Sequence, residues 1–248
     1  MCDAAKLPGE AVRLNRRRFL QSPTVLAAAG LLAGGPCASL AHADALTREQ
    51  RDKMTPDEIL AMMKRGNARF RKGEGSKRNF LAEQKASAKG QYPAVVILSC
   101  IDSRAPAEIV MDLGIGDAFN CRVAGNISNE DILGSMEFAC KVAGAKVILV
   151  MGHTACGAIK GAIDSVKLGN LTELLAKIRP AVDKTEFTGE KTTKNAAYVD
   201  AVARKNVALT MAQILEKSPV LRELESKRAI KIAGAMYDLE TAAVDFLS

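Results

Sequence analysis

The chain has 248 residues, with 35 Lys and Arg against 28 Asp and Glu, six Cys, two His and no Trp. Hydrophobic residues make up 48%, which excludes a disordered chain, a collagen and a polytopic membrane protein. The length suits one ordinary α/β domain plus a tail, with a core large enough to need no disulfide staples. The formal charge of +7 admits nucleic acid as a partner without arguing for it.

The first segment reads as an export signal. Arg16-Arg17-Arg18-Phe19-Leu20-Gln21 resembles the twin-arginine pattern R-R-x-F-L-K, with Gln in the last place. From Phe19 to Ala43 there is no charged side chain, and Ala41-His42-Ala43 forms an A-x-A cleavage site before Asp44. A membrane anchor is the weaker reading, because Pro23 and Pro36 interrupt a stretch poor in Leu, Ile and Phe. Residues 1–43 are therefore expected to be a cleaved signal peptide and 44–248 a single domain. The expected location is the periplasm or the exterior, reached through the twin-arginine (Tat) export machinery. Removal takes away five basic and two acidic side chains, leaving +4, and no basic cluster with interleaved aromatics remains to support nucleic-acid binding. It also leaves His153 as the only histidine.

Thr55-Pro56-Asp57-Glu58 predicts a helix start, with Thr at the N-cap, Pro at N1 and Glu at N3. Ile59, Leu60, Met62, Met63 and Phe70 follow at helical spacing, and Gly73 closes the segment. Short apolar runs predict buried strands at 94–99, 118–123, 146–151 and 230–237. Ser128-Asn129-Glu130-Asp131 opens a helix that Gly144 closes, and further helices are expected over about 155–168, 171–183 and 195–217. Residues 239–247 are read as a last helix. Strands alternating with helices imply a mostly parallel sheet covered on both faces.

Two segments carry chemistry. Cys100-Ile101-Asp102-Ser103-Arg104 follows the first strand, and His153-Thr154-Ala155-Cys156-Gly157 follows the third. In a parallel sheet both emerge at carboxyl ends of strands, where doubly wound folds place their ligands. Cys100, His153 and Cys156 form a Cys₂His set suited to Zn²⁺, with a fourth position left for water or substrate. Asp102 can hydrogen-bond a bound water, and Arg104 can hold that carboxylate charged and oriented. Cys121 and Cys140, within a predicted strand and helix, read as buried structural thiols, and a disulfide between them is left open.

Together these segments resemble the β-class carbonic anhydrases, whose Cys-x-Asp-x-Arg and His-x-x-Cys motifs appear as Cys100–Arg104 and His153–Cys156. Gly66-Asn67-Ala68-Arg69-Phe70 is similar to the family's G-N-x-R-F, Arg122-Val123-Ala124-Gly125-Asn126 to its R-x-A-G-N, and Tyr237-Asp238-Leu239-Glu240-Thr241 to its Y-D-x-x-T. The resemblance spans about 54–245. It implies an α/β fold with a mostly parallel central sheet flanked by helices and an extended N-terminal helical arm. It also implies one Zn²⁺ per subunit and reversible hydration of CO₂ to bicarbonate and a proton by zinc-bound hydroxide.

The same resemblance makes Asp102 and Arg104 catalytic, with Asp102 a fourth zinc ligand in a closed state. It places Gln91, Phe119, Phe138 and Gly157 around the substrate pocket, Phe138 standing where a Tyr is expected. It further implies a homodimer or higher homo-oligomer, in which Met62, Met63 and Phe70 would meet either the partner or their own subunit. The alternatives are a related zinc hydrolase acting on carbonyl sulfide or carbon disulfide, and a non-catalytic zinc or thiol-redox protein. Asp102 and Arg104 speak against the latter, since neither role needs an oriented carboxylate beside the ligands.

Overall fold

The computed structural model describes residues 45–247. The expected signal peptide, 1–43, lies outside the described residues.

The chain enters through two helices, α1 (Arg48–Lys53) and α2 (Pro56–Lys72), each opened by a capping box. Thr47 pairs with Gln50 and Thr55 with Glu58, so two backbone N–H groups are satisfied at each start. Gly73 ends α2 in the left-handed region at φ 69°, where glycine carries no Cβ penalty. Then follow α3 (Phe80–Ser87), β1 (Val95–Ser99), α4 (Ala107–Val110), β2 (Ala118–Arg122), a 3₁₀ turn at Ala124–Asn126 and α5 (Glu130–Glu137). A π-helical turn, Phe138–Val142, extends α5. The rest is β3 (Val147–His153), α6 (Gly157–Ile163), α7 (Gly169–Asp183), α8 (Ala196–Lys217), α9 (Pro219–Ser226), β4 (Lys231–Tyr237) and β5 (Val244–Leu247).

One five-stranded sheet has the order β2-β1-β3-β4-β5. The first four strands are parallel and β5 is antiparallel to β4. Alternate residues of the central strands enter separate cores on the two faces. Val96, Leu98, Ile148 and Val150 join Ile159, Ile178, Val202 and Val207 on one side. Val95, Ile97, Val147 and Leu149 join Ile59, Leu60, Met63 and Val110 on the other. Burial on both faces explains why these strands read as continuous apolar runs rather than alternating ones.

The G-N pair in α2 now has a physical reason. A Cβ on Gly66 would lie 1.9 Å from the Met111 carbonyl oxygen, so α2 can cross there only on a glycine. Asn67 donates through Nδ2 to the carbonyls of Val110 and Ala242 and accepts the Val244 N–H, tying α2 to the end of α4 and to the start of β5.

Two expectations need correction, and one open alternative is narrowed. Residues 239–247 do not form a helix: Asp238 accepts the N–H groups of Glu240 and Thr241 in a tight turn, and Val244–Leu247 then pairs with β4. The β-branched and aromatic residues of that short run satisfy an otherwise open strand edge. Met63 is fully buried on its own subunit's sheet, and Met62 and Phe70 pack against the same cluster. The α2 helix thus packs on its own subunit's sheet. The helix expected over 155–168 runs only from Gly157 to Ile163.

Candidate metal centre

The topology places the site. The chain leaves β1 toward β2 on one side and leaves β3 toward β4 on the other, so β1 and β3 flank the point where strand order reverses. Ser99 pairs with Met151. Cys100 therefore lies level with Gly152, with His153 one step beyond, and the next turn delivers Cys156 just before α6. Ala155 takes a left-handed φ of 53° in that turn, and its N–H is held by Asp200 of α8 at 3.2 Å.

The donor atoms of Cys100, His153 and Cys156 all lie within 4.8 Å of one another, and all three side chains are buried. The two sulfurs are 4.0 Å apart. Two thiolates bound tetrahedrally at about 2.3 Å would stand about 3.8 Å apart, so the pair is already at zinc-binding separation. His153 Nδ1 lies 2.9 Å from the Thr154 carbonyl, which fixes Nδ1 as the protonated nitrogen. Nε2 is left buried with no hydrogen-bond partner, aimed as a lone pair at the cluster. A buried orphan nitrogen beside two thiols fits a metal ion, and the donor set suits zinc.

The electrostatics agree. The hydrogen bond from Cys156 holds the Cys100 thiol well below its ordinary value against the opposing effect of burial, and the same contact pushes Cys156 up. One thiolate is thereby shared between the two sulfurs, a negative charge ready for a cation. Burial alone would lower the His153 pKa, but the negative charge of the neighbouring Cys100 sulfur outweighs it and the net shift is upward.

Beside the cluster, Arg104 grips Asp102 at both oxygens, Nε to Oδ1 at 3.0 Å and Nη2 to Oδ2 at 2.8 Å. The Arg104 N–H also donates to Oδ1 at 2.9 Å. These bonds hold the Asp102 carboxyl well below the usual carboxylate range. Asp102 Oδ2 stands 3.8 Å from His153 Nε2, turned toward Arg104 and adjacent to the donors.

The R-x-A-G-N segment supports this loop. Arg122 donates to the carbonyls of Cys100 at 2.9 Å and Asp102 at 2.6 Å, and the Gly125 N–H points at Cys100 Sγ at 3.3 Å. The Tyr237–Thr241 segment braces the other ligand loop: Thr154 N–H donates to the Tyr237 carbonyl and Thr154 Oγ1 accepts the Leu239 N–H. The roles of Arg122, Gly125 and Thr154 are absent from a reading of spacing alone, although the motif segments contain or adjoin all three.

The residues assigned to the substrate pocket divide. Gly157 sits at the start of α6 next to Cys156 with open space around it. Gln91 is exposed before the amino end of β1, while Cys100 follows its carboxyl end, so a strand about 16 Å long separates them within one subunit. Phe119 pairs with Val96, four residues short of Cys100. It stacks edge-on with Phe138 at 6.1 Å, and the two line a cavity of about 660 Å³ between β2 and α5 that contains none of the three donors. Within one subunit, Gln91, Phe119 and Phe138 therefore stand apart from the metal cluster. Cys121 and Cys140 are free thiols, both raised by burial, Cys140 to about 12.

Known proteins match this arrangement. The carbonic anhydrase family model matches residues 95–244. "Carbonic anhydrase 2" of Mycobacterium tuberculosis is 32% identical over 184 residues, covering 72% of this chain and 86% of its own. A carbonic anhydrase of Mycolicibacterium smegmatis is 31% identical, covering 75% and 90%. Among solved structures, a tetrameric β-carbonic anhydrase of Sordaria macrospora is 25% identical, covers 65% of this chain and 83% of its own, and superposes with a TM-score of 0.58. A β-carbonic anhydrase of Aspergillus fumigatus shares the fold at 24% identity, 77% and 90% coverage and a TM-score of 0.60. The matched span takes in Cys100, His153 and Cys156 together, and the chain belongs to the β-class carbonic anhydrase family.

Proposed function

We propose that the chain reversibly hydrates CO₂ to bicarbonate and a proton, with one zinc ion per subunit held by Cys100, His153 and Cys156. The observation that carries this reading is the orphaned His153 Nε2 beside two sulfurs 4.0 Å apart, with an ionised, clamped carboxylate at its edge. When bound, zinc supplies Lewis acidity that brings the ionisation of water toward neutral pH.

The chain's own residues then orient the reaction. Asp102 stays an acceptor-only carboxylate and takes a hydrogen bond from the attacking water, turning that oxygen's lone pair toward the CO₂ carbon. Arg104 fixes the carboxylate's direction through two parallel bonds. Arg122 holds the loop that carries both Cys100 and Asp102, so ligand and acceptor keep one spacing. In this state Asp102 is engaged by Arg104, and its reading as a fourth ligand requires that grip to break. The test is turnover of CO₂, carbonyl sulfide and carbon disulfide by one zinc-loaded preparation. CO₂ as the dominant substrate supports the proposal; preference for a sulfur substrate overturns it.

The chain is further proposed to act as a homodimer or higher homo-oligomer. The β2 strand ends the sheet, and Phe138 and Ile109 beside it are 51% and 58% exposed, an apolar edge suited to a second copy. Sedimentation at a monomer mass at micromolar concentration would contradict this. Export to the periplasm or exterior is supported by Arg16-Arg17-Arg18-Phe19-Leu20-Gln21 and by Ala41-His42-Ala43. An exported form whose first residue is Asp44, lost when Arg16 and Arg17 become Lys, is the expected result; a cytoplasmic full-length chain would refute it.

A further inference from the structure

Asn206 is a polar side chain in an apolar place. It lies in the middle of α8, 3% exposed, on the helix face that also buries Val199, Val202, Ala203, Val207 and Ile214. Burying an amide there is unfavourable unless it is bonded, and Asn favours a helix interior less than Leu or Ala. Its Nδ2 donates to the Gly125 carbonyl at 2.8 Å, across 81 residues of sequence.

Gly125 is the residue whose N–H faces Cys100 Sγ at 3.3 Å. It sits at φ 67°, and a Cβ there would meet Ile178 Cδ1 at 2.5 Å and Ala158 Cβ at 3.3 Å. Only glycine fits, yet glycine passes readily between positive and negative φ. Packing that demands glycine therefore does not by itself set the direction of its N–H. The peptide plane after Gly125 is held from both sides, by the Asn126 N–H on the Val123 carbonyl at 2.9 Å and by the Asn206 amide on the Gly125 carbonyl, and together these keep the conformation that points the Gly125 N–H at sulfur.

We infer that Asn206 is a positioning residue for the metal centre: it locks Gly125 so that the Gly125 N–H is held on the Cys100 sulfur. This rests on the zinc-enzyme reading above. An N–H directed at a ligating thiolate stabilises the sulfur's charge and orients its remaining lone pair toward the metal. Outer partners of this kind change metal affinity by about 10- to 100-fold when removed. The same helix also holds the second ligand loop through Asp200 and the Ala155 N–H, so α8 braces both ligand-bearing segments.

The test is Asn206→Leu, which keeps the volume and removes the donor, compared with Val202→Ala, a core variant on the same helix. Zinc affinity is measured by chelator competition, and the thiolate-to-metal charge-transfer band is recorded after cobalt substitution. Asn206→Leu is expected to bind zinc about 10- to 100-fold more weakly and to shift the cobalt band. Val202→Ala lowers the melting temperature with affinity and band unchanged. Should Asn206→Leu not fold, Asn206→Ala, which removes the amide without adding bulk, carries the same comparison. Wild-type affinity and an unshifted band in a folded Asn206 variant overturn the inference. A wild-type protein that binds no zinc overturns instead the reading on which it rests.

Discussion

Arg104 holds Asp102 by both carboxylate oxygens at 3.0 and 2.8 Å, although Arg104 is 59% exposed and Asp102 only 15%. The strength of an exposed ion pair is small, so the pair matters for direction rather than stability. The guanidinium fork fixes the plane of a carboxylate that stands 3.8 Å from a metal-ligating nitrogen. Asp102→Asn keeps the shape but presents an N–H₂ in place of an acceptor. It is expected to lower kcat/KM by about 10²–10³-fold with zinc content unchanged. Arg104→Lys keeps the charge and loses the fork, and should fall between the two.

The same pair sets an acid limit. Arg104 depresses the Asp102 pKa, so the carboxylate stays ionised well below pH 4 in the intact protein. In Arg104→Ala the pKa returns toward about 3.9, and the acceptor is lost at higher pH as the solution is acidified. On zinc-loaded protein the ratio of variant to wild-type turnover should fall as the pH drops toward about 4, below the limb that both share from the ionisation of the water; a ratio independent of pH would count against this role.

Metal removal should destabilise the fold as well as silence it. Zinc that binds only the folded site, at 1,000 times its Kd, stabilises by about 4 kcal/mol. For a chain of this size that corresponds to a melting shift on the order of 10 °C. A chelator is expected to lower the melting temperature by that amount and added zinc to restore it, while Cys156→Ser should show neither change.

A second charged cluster bears on stability alone. Asp112, 8% exposed, meets Arg69 at 2.6 Å and accepts the Ser76 N–H and hydroxyl. Burial raises its pKa, but the bonds from Ser76 and Arg69 outweigh it and the net shift is downward. A depressed carboxylate contributes stability above its unfolded value of about 3.9 and loses it as the pH falls through the folded value. Asp112→Asn should therefore cost on the order of 1 kcal/mol at pH 7 in urea unfolding, with the gap to wild type narrowing below pH 4. A gap that does not depend on pH would exclude the charge as its source.

Proton release is a third constraint. His153 is the only histidine among residues 45–247 and it is buried at the metal cluster. No other histidine is available there to carry a proton to solvent near neutral pH. Turnover is expected to rise with the concentration of an imidazole buffer; a rate flat from low to high millimolar buffer would point to an internal relay.

Much of this was legible because the chemistry sits where strand periodicity ends. The apolar runs before Cys100 and His153 announce buried parallel strands, and residues just past such strands fall at one end of the sheet. Thr55, Pro56 and Glu58 state the start of α2 outright. What the sequence hides is whatever depends on distant partners. Val244–Leu247 reads as helix until β4 is known to need an edge, and Gly66 carries no message until Met111 is known to press on it. Asn206 looks like a tolerated polar residue within a long helix, since its partner lies 81 positions away. Gln91, Phe119 and Phe138 can be assigned only by resemblance, because their spacing from Cys100 does not say which end of the strand or edge of the sheet they occupy.

The most direct test is a zinc titration of the metal-free protein followed by stopped-flow hydration of CO₂. The rate should rise in proportion to zinc bound and saturate at one ion per chain, with Asp102→Asn binding the same zinc at a rate about 100-fold lower. CO₂ hydration that is independent of zinc, or a fully loaded protein that leaves CO₂ unchanged, would contradict the account.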